Sequence, residues 1–432
     1  MRKIGEIRLA VFAIVLVLLA ASFAVALAGA EDDVARYTRM ILENPTDAAA
    51  YNSRGDAYYR LEQYEKAILD YTKAIELEPG NAVYYNNRGD AYYWLDRYEE
   101  AIPDYSKAIE LNQENNVYYN NRAYAYYWLD KYEEAILDYT KAIELNQGND
   151  AYYNSRGDAY YWLDKYEEAI ADYTKAIVLN PGKTTYYYNR GYAYYWLGKY
   201  EEAIQEYNKA LELDPKYVDA YRSRGRAYNA LGQYVEALVD YTKAVELSPN
   251  HDSTYNRRGI AYYNLEKYEE AILDYTKAIE LNQRNDAYYN NRGDAYYWLD
   301  QYEEALPDYT KAIELDPGNA LYYYNRGYAY YWLAKYEEAI LDYTKAIELD
   351  PGNARYYCTR GNAYRQLKQY EEAILNYSKA MEVDPAYANA YKLRGDAFVQ
   401  LDDKVSALRD YQKALSLEPE NDTYRELVES LM

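Results

Sequence analysis

The sequence predicts an all-α protein made of stacked helix pairs. A 34-residue segment at 150–183, DAYYNSRGDAYYWLDKYEEAIADYTKAIVLNPGK, recurs almost without gaps, and eleven copies fill residues 48–421. Apolar and aromatic residues inside each copy recur three or four residues apart, which places them on one face of a helix. A constant period of this length is typical of architectures in which each unit buries its apolar face against its neighbours. We number the repeats 1 to 11 from the first, at Ala48, in steps of 34 residues.

Each repeat is predicted to contain two helices with a turn between them. Tyrosines that recur at helical spacing are interpreted as core residues. In repeat 4 they are Tyr153 and Tyr160 on the first helix, and Tyr166 and Tyr173 on the second. The chain has 66 tyrosines, so many others remain for a surface role.

Polar and helix-breaking residues predict where the helices of a repeat begin and end. In repeat 4, Asp164 is expected to cap the N-terminus of the second helix, with Glu167 completing a capping box. The run Asn180–Pro181–Gly182 is expected to end that helix, because proline cannot continue it and glycine tolerates the left-handed backbone region.

The residue pattern of each repeat resembles that of the tetratricopeptide repeat family. In repeat 4 the positions that carry the resemblance are Tyr153, Gly157, Tyr160, Ala169, Tyr173, Ala176 and Pro181. The glycine is present in ten repeats and is replaced by Ala123 in repeat 3. The resemblance covers residues 31–432 and implies a right-handed superhelical α-solenoid of stacked antiparallel helix pairs, with a concave groove lined by the first helices. It implies binding rather than catalysis, so neither catalytic residues nor a cofactor is expected.

Both ends of the chain depart from the repeat. Residues 1–30 carry basic residues, then an apolar run, then the small residues Ala28–Gly29–Ala30. This layout predicts a secretory signal peptide cleaved after Ala30, and the alternative is an uncleaved N-terminal anchor, since the run is long enough to span a bilayer. Residues 31–47 predict a half-repeat cap helix and residues 422–432 a C-terminal capping helix, as a stacked array needs for solubility.

Composition excludes several classes of function. The formal net charge of −23 disfavours binding to nucleic acid and to anionic lipid, so contact with a membrane is expected only through an uncleaved N-terminal segment. A single cysteine, Cys358, and a single histidine, His251, cannot build a disulfide framework or a zinc site. Cys358 is interpreted as a plain small residue, and the alternative is an intermolecular disulfide.

An arginine precedes the glycine position in all eleven repeats, and an acidic residue follows it 16 residues later in ten of them. Because a guanidinium near a packed face is matched by a carboxylate, we predict an ion pair that joins the two helices of each repeat. Asp172 after Arg156 is one example, and Asn376 breaks the rule in repeat 10.

By resemblance, polar and aromatic residues of the first helices are candidates for a ligand-binding groove. Stacked at each repeat, they would form rows of Asn, Asp and aromatic side chains, and flat amphipathic rings suit recognition. The competing interpretation is that many of these rings pack between neighbouring first helices. The candidates are Asn86, Asp90, Tyr93, Trp94, Asn120, Tyr127, Trp128, Asn154, Asp158, Tyr161, Trp162, Tyr188, Tyr192, Trp196, Asn290, Asp294, Trp298, Tyr324, Tyr328 and Trp332.

Three functions remain open at this level. The first is a non-catalytic exported scaffold that binds extended peptide or protein segments in the groove. The second is a self-assembling structural protein that forms an envelope or extracellular polymer, with other copies of the chain as partners. The third is a polysaccharide-binding solenoid, because ring faces stack on sugars. In each case the protein is expected to be exported, to a periplasm, to the cell surface or into the medium.

Overall fold

The computed structural model describes residues 28–432. In that range the chain consists of α-helices joined by short turns, without a β-strand, and from residue 48 onwards each helix packs against the next within each of two compact units. The prediction of an all-α protein made of stacked helix pairs is therefore confirmed. The predicted signal peptide or anchor lies outside the described residues, apart from residues 28–30, which belong to the first helix. The chain divides into two compact units, one ending at Pro215 and the other beginning at Lys216.

The first unit contains a helix, α1, that runs through residues 28–43, and repeats 1 to 5. The helix pairs of these repeats are α2 Ala48–Arg60, α3 Tyr64–Leu77, α4 Ala82–Tyr93, α5 Tyr98–Leu111, α6 Asn116–Trp128, α7 Tyr132–Leu145, α8 Asp150–Trp162, α9 Tyr166–Leu179, α10 Thr184–Trp196 and α11 Tyr200–Leu213.

The second unit contains repeats 6 to 11 and a final helix. Its helices are α12 Val218–Ala230, α13 Tyr234–Leu247, α14 Asp252–Asn264, α15 Tyr268–Leu281, α16 Asp286–Trp298, α17 Tyr302–Leu315, α18 Ala320–Trp332, α19 Tyr336–Leu349, α20 Ala354–Gln366, α21 Tyr370–Val383, α22 Ala388–Gln400, α23 Lys404–Leu417 and α24 Asp422–Leu431.

The glycine of each first helix lets a tyrosine of the second helix lie against the backbone. A Cβ atom placed on Gly157 would lie 2.7 Å from Cε1 of Tyr173, which is closer than two carbon atoms approach without repulsion. Tyr173 is buried, and Ala169 beside it is completely buried, so the two helices meet closely here. In repeat 3, Ala123 takes the place of the glycine opposite Tyr139.

The capping box predicted for the second helix is absent. Asp164 has a φ of 56°, and the N-cap position of α9 is held by Lys165, which makes no side-chain capping bond. The backbone N–H groups of Asp164 and Lys165 instead bond back to the carbonyls of Tyr161 and Tyr160, both at 3.0 Å. These two hydrogen bonds form a Schellman motif, which ends the first helix. Asp164 occupies its left-handed position, and Asp tolerates that backbone conformation better than most residues. The predicted end of α9 is correct, since Leu179 is its last residue.

The predicted ion pair between the helices of a repeat is confirmed. In repeat 4, Nε of Arg156 donates to Asp172 at 2.7 Å, and Nη2 donates to its other carboxylate oxygen at 2.8 Å. The remaining nitrogen, Nη1, donates at 2.9 Å to Thr140 on the second helix of the preceding repeat. Arg156 therefore joins three helices, and the arrangement recurs with Glu206 as the acid in repeat 5.

Helices at the two ends cover apolar side chains of the neighbouring repeat. Tyr424 and Val428 of α24 are buried in clusters that include Ala388 and Ala407 of repeat 11. At the other end, the described part of α1 buries Ile41. Of the helices within residues 28–432, none combines the length and the apolar character that crossing a bilayer requires.

Candidate functional site

Consecutive first helices of one unit form a surface that we call the first-helix face. In the first unit this surface carries three adjoining cavities. Cavity A, about 220 Å³, is lined by Asp56, Tyr59, Arg60, Tyr71, Asn87 and Asp90. Cavity B, about 350 Å³, is lined by Tyr59, Asp90, Tyr93, Trp94, Tyr105, Asn121 and Tyr124. Cavity C, about 180 Å³, is lined by Tyr93, Tyr124, Tyr127, Trp128, Tyr139, Ser155 and Asp158.

Neighbouring cavities share lining residues, so they form one continuous row. A and B share Tyr59 and Asp90, and B and C share Tyr93 and Tyr124. The predicted groove residues that line the row are Asp90, Tyr93, Trp94, Tyr127, Trp128 and Asp158. Cavities A and C are smaller than the roughly 300–1,000 Å³ that a drug-sized molecule needs, and B is at the lower end of that range, so each cavity has room for a side chain.

The predicted Asn and Asp residues bond one another across neighbouring repeats. Asp90 accepts hydrogen bonds from Asn86 at 3.0 Å, from Tyr105 at 2.8 Å and from Asn121 of the next repeat at 3.0 Å. Asn121 also donates to the carbonyl oxygen of Asn86, at 3.1 Å. The Asn and Asp rows thus hold consecutive first helices together, and the carboxylates also line the cavities.

The same network recurs at three other repeats. Asp56 accepts from Asn52, Tyr71 and Asn87. Asp158 accepts from Asn154, Tyr173 and Asn189. In the second unit, Asp294 accepts from Asn290, Tyr309 and Asn325. Burial raises the pKa of Asp90, Asp158 and Asp294 to about 6, even though the hydrogen bonds that each receives pull the pKa downward.

Repeat 3 departs from the network because Tyr124 replaces the aspartate. The hydroxyl of Tyr124 pairs at 3.0 Å with Ser155 of the next repeat, where repeats 2, 3, 5, 8 and 9 have asparagine. Without an aspartate to bond, the buried hydroxyl of Tyr139 lacks a hydrogen-bond partner within residues 28–432. The side-chain carbonyl oxygen of Asn120 also lacks a hydrogen-bond partner within residues 28–432, although the side-chain amide nitrogen donates weakly to Asn121 at 3.4 Å.

The predicted tryptophans form stacked contacts with the preceding repeat. Trp128 lies parallel to Tyr98, with ring centroids 6.5 Å apart, and Trp162 lies parallel to Tyr132 at 6.3 Å. In the second unit, Trp298 and Trp332 stack on tyrosines in the same way. These rings are still about half exposed. One face therefore packs within the protein while part of the ring stays accessible.

Repeats 5 and 9 replace both polar residues with tyrosines that stack on each other. Tyr188 and Tyr192 have ring centroids 5.9 Å apart, and Tyr324 and Tyr328 have theirs 5.7 Å apart. Tyr192 also contacts Tyr161 of the preceding repeat at 5.5 Å and lies edge-on to Trp196. In these repeats the first-helix face is aromatic rather than polar.

The first-helix face of the second unit carries a cavity of about 360 Å³, which we call cavity D. Its lining includes Asp396, whose carboxylate is 3.2 Å from Nη1 of Arg365 and 2.7 Å from the ammonium group of Lys392. The carboxylate in cavity D is thus paired with cations supplied by the chain.

Sequence reasoning missed several lining residues. Tyr59, Tyr124, Asn121 and Ser155 line cavities but were not among the candidates. A signal was available, because the asparagine that bonds each aspartate stands 31 residues after it, and Ser155 stands 31 residues after Tyr124. Within the described part of the chain, no cluster of three or more metal-ligating side chains is present.

The repeats match family profiles along most of the chain. A profile described as tetratricopeptide repeat matches residues 48–81, 82–115, 117–149, 253–285, 287–319 and 320–353, and a second with the same description matches 342–374. A third, described as TPR repeat, matches 157–198, 191–229, 225–266 and 361–402. No curated protein matches the sequence.

Solved structures with similar folds include other repeat proteins. YrrB, described as a TPR protein with an unusual peptide-binding site, is 25% identical, covers 43% of this chain over 95% of its own length, and has a TM-score of 0.39. MamA is 27% identical, with 37% and 94% coverage and a TM-score of 0.36. A tetratricopeptide repeat protein from Parabacteroides merdae is 24% identical, with 55% and 94% coverage and a TM-score of 0.44. Because these TM-scores are below 0.5, membership rests on the repeat matches, and by these the chain belongs to the tetratricopeptide repeat family.

Proposed function

We propose that the chain is an exported, non-catalytic scaffold that binds extended segments of partner proteins along its first-helix faces. Tetratricopeptide repeats are typical protein–protein interaction modules, and the arrays in this chain have the family's helix pairs. The observation that carries the proposal is the row of cavities A, B and C. A row that continues from repeat to repeat suits an extended chain, because successive side chains of one segment can enter successive cavities.

The chemistry of the row supports a polypeptide ligand. Its walls are tyrosine and tryptophan rings, which provide large contact area at low entropic cost. Half-exposed Trp94 and Trp128 stand at the cavity rims, so a bound segment would bury ring surface that is now in water. Aspartate and tyrosine oxygens in the floor can accept hydrogen bonds from backbone or side-chain N–H groups.

Site-specific photocrosslinking in the producing cells tests this proposal. A photoreactive phenylalanine analogue replaces Trp128 on the first-helix face or, as a matched control, Leu137, which is 71% exposed on the second helix α7. We expect proteins crosslinked from position 128 that are absent from position 137. Crosslinks of equal yield and identity from both positions would contradict the proposal. Crosslinks only to copies of this chain would support the polymer alternative, and crosslinks only to glycan would support the polysaccharide alternative.

Export is tested separately. We expect the protein outside the cytoplasm, with an N-terminus at Glu31 after cleavage of residues 1–30. Recovery of the chain only from the cytoplasm would refute export and leave the binding proposal intact. Recovery in the membrane with residues 1–30 still attached would favour the uncleaved anchor.

A further inference from the structure

Cavities B and C combine aromatic walls with a carboxylate and lack a basic side chain. Asp90 lines B and Asp158 lines C, and no lysine or arginine of the described residues lines either cavity. Cavity A differs, because Arg60 lines it together with Asp56: burial raises the pKa of Asp56, and the charge of Arg60 opposes that rise. Two of the three adjoining cavities therefore hold an acid that no cation of the chain itself neutralises.

Cavity C also holds an unused polar group. Tyr139 is 0% exposed, lines the cavity, and its hydroxyl has no hydrogen-bond partner among residues 28–432. A buried hydroxyl without a partner is costly, so it indicates a group that a ligand can satisfy. Its oxygen can accept a hydrogen bond from an N–H donor that also reaches Asp158.

In cavity D, the equivalent aspartate forms ion pairs with basic side chains of the chain itself. Five of its lining residues stand 306 residues, or nine repeats, after lining residues of cavity B, and Asp396 corresponds to Asp90. In D, Arg365 stands where B has Tyr59, and its guanidinium lies 3.2 Å from the Asp396 carboxylate. The same repeat geometry thus accommodates a guanidinium against this carboxylate, and in B that place is not filled by a basic residue of the chain.

The walls favour a cation as well. Tyr93 and Tyr124 stand between B and C, and Trp94 and Trp128 are each more than half exposed. A guanidinium or ammonium group over the face of such a ring is attracted by its quadrupole, most strongly for tryptophan. The net charge of −23 attracts basic segments towards the surface before contact.

We propose that cavities B and C each receive one arginine or lysine side chain of a partner protein, held by Asp90 and by Asp158 with Tyr139. This inference rests on the proposed function and specifies the chemistry of its ligand, which is a polypeptide segment with at least two basic residues. The basic side chain does in B what Arg365 does for Asp396 in D.

Calorimetric titration of the full chain tests the inference with two probes. One is the peptide Ac-Ala-Arg-Ala-Ala-Arg-Ala-NH2, and the other has citrulline, which is neutral and of the same shape, in place of both arginines. We expect the arginine peptide to bind about tenfold or more tightly than the citrulline peptide, because a hydrogen bond to a charged group contributes at least that factor. Equal affinities would overturn the inference.

Variants separate the cavities from general charge attraction. The pair Asp90→Asn and Asp158→Asn should weaken arginine-peptide binding about tenfold or more. The control pair Glu133→Gln and Glu167→Gln removes two charges from exposed positions in the first turns of α7 and α9, and it should leave the affinity within about twofold. Equal losses in both pairs would refute the cavity assignment.

A third variant keeps the test valid if the asparagine substitutions unfold a repeat. Tyr59→Arg places in cavity B the residue that cavity D carries, so it should block the arginine peptide from B while circular dichroism stays unchanged. Unchanged binding by this folded variant would overturn the inference for B. If the crosslinks from position 128 persist while both peptides bind equally, only the cationic ligand is refuted; if the crosslinks themselves are absent, the proposed function is refuted as well.

Discussion

The indole N–H of Trp128 donates a 2.7 Å hydrogen bond to the hydroxyl of Tyr93, which belongs to the preceding repeat. Trp162 donates to Tyr127 in the same way, also at 2.7 Å. These tryptophans therefore connect repeats as well as lining a surface, and the two interpretations considered from sequence, groove lining and packing between first helices, apply to the same side chain.

A double-mutant cycle measures this connection. Trp128→Phe and Tyr93→Phe each remove the hydrogen bond and keep a ring, so each should lower the free energy of unfolding by about 0.5–1.5 kcal/mol. Because both remove the same bond, the double variant should lose less than the sum, with a coupling of about 0.5 kcal/mol or more. The control cycle pairs Tyr93→Phe with Trp162→Phe, which share no bond and should be additive in urea denaturation. Additivity in both cycles would show that the hydrogen bond contributes nothing measurable.

The arginine pair gives a second prediction, on stability rather than binding. Burial alone would lower the pKa of Arg156, and the hydrogen bond and charge of Asp172 overcome that effect, so the pKa is raised. Asp172→Ala leaves the guanidinium buried without a carboxylate and should cost about 3–5 kcal/mol. Hydrogen exchange of α8 and α9 should show the loss, while the affinity for a ligand on the first-helix face should not change.

Repeat 10 supplies the reverse experiment. Asn376 replaces the acid, and burial lowers the pKa of Arg360, which donates to the Asn376 side-chain carbonyl at 2.7 Å. Asn376→Asp should complete the pair and raise the local free energy of unfolding by about 1 kcal/mol. Destabilisation by this substitution would show that the surroundings of Arg360 favour a neutral partner.

The close approach of helices at glycine gives a third prediction. Gly157→Ala places a methyl group 2.7 Å from the Tyr173 ring, and in a packed core such overpacking typically costs about 1–3 kcal/mol. The matched control is Ala123→Gly, which removes the methyl group opposite Tyr139 and should cost about 1 kcal/mol or less through helix propensity. Thermal unfolding of both variants compares the two effects. A larger loss in the control would mean that the glycine is not required by packing.

Much of the fold was predictable because each repeat restates the same local pattern. The spacing of Tyr153, Tyr160 and Tyr173 placed both helices, and the Arg156–Asp172 pair followed from charge at a fixed separation within one repeat. The capping box at Asp164 was wrong because two caps compete for the same turn. Asp164 ends the first helix in the left-handed conformation, and its carboxylate accepts a hydrogen bond from the hydroxyl of Tyr166 instead of capping the second helix.

The site was less predictable because its contacts cross from one repeat to the next. Reading each repeat by itself placed Asp90 and Asn86 on the first helix but not the bond from Asn121, 31 residues further on. Two substitutions in the sequence indicate this contact. Tyr124 replaces the aspartate, and Ser155, 31 residues later, replaces the asparagine with a small side chain that leaves room for the ring. The groove assignment of these residues stays a prediction until a ligand is found.

The buried aspartates give a fourth prediction, on pH. Burial raises the pKa of Asp90, Asp158 and Asp294 to about 6 in the folded state, against about 3.9 in an unfolded chain. Between these values the folded state binds more protons than the unfolded state, so the free energy of unfolding should rise as the pH falls from 7 towards 5. Each carboxyl contributes at most about 3 kcal/mol, since one pKa unit is worth about 1.4 kcal/mol.

Urea denaturation at a series of pH values checks this dependence. The variant with asparagine at all three positions should show a flatter profile between pH 4 and 7, because the groups that titrate there are gone. Glu133→Gln, which removes an exposed acid, should keep the profile of the parent. A parent chain whose stability falls steadily from pH 7 to pH 5 would contradict the raised pKa values.

The single thiol gives the last prediction, and it separates the two interpretations of Cys358. Cys358 is 3% exposed, packs with Tyr377 and Leu393, and has a pKa raised to about 12 by burial. At pH 8 roughly one thiol in ten thousand is then ionised, and the thiolate is the reactive form. The native chain should therefore fail to react with a thiol reagent over hours, should show no disulfide-linked dimer on a non-reducing gel, and should react fully in urea.

The positive control is Leu137→Cys in a Cys358→Ser background, which places a thiol at an exposed site of the same chain and should react within minutes. Rapid modification of native Cys358 would show that repeat 10 opens on that timescale, and it would restore the intermolecular disulfide as an interpretation.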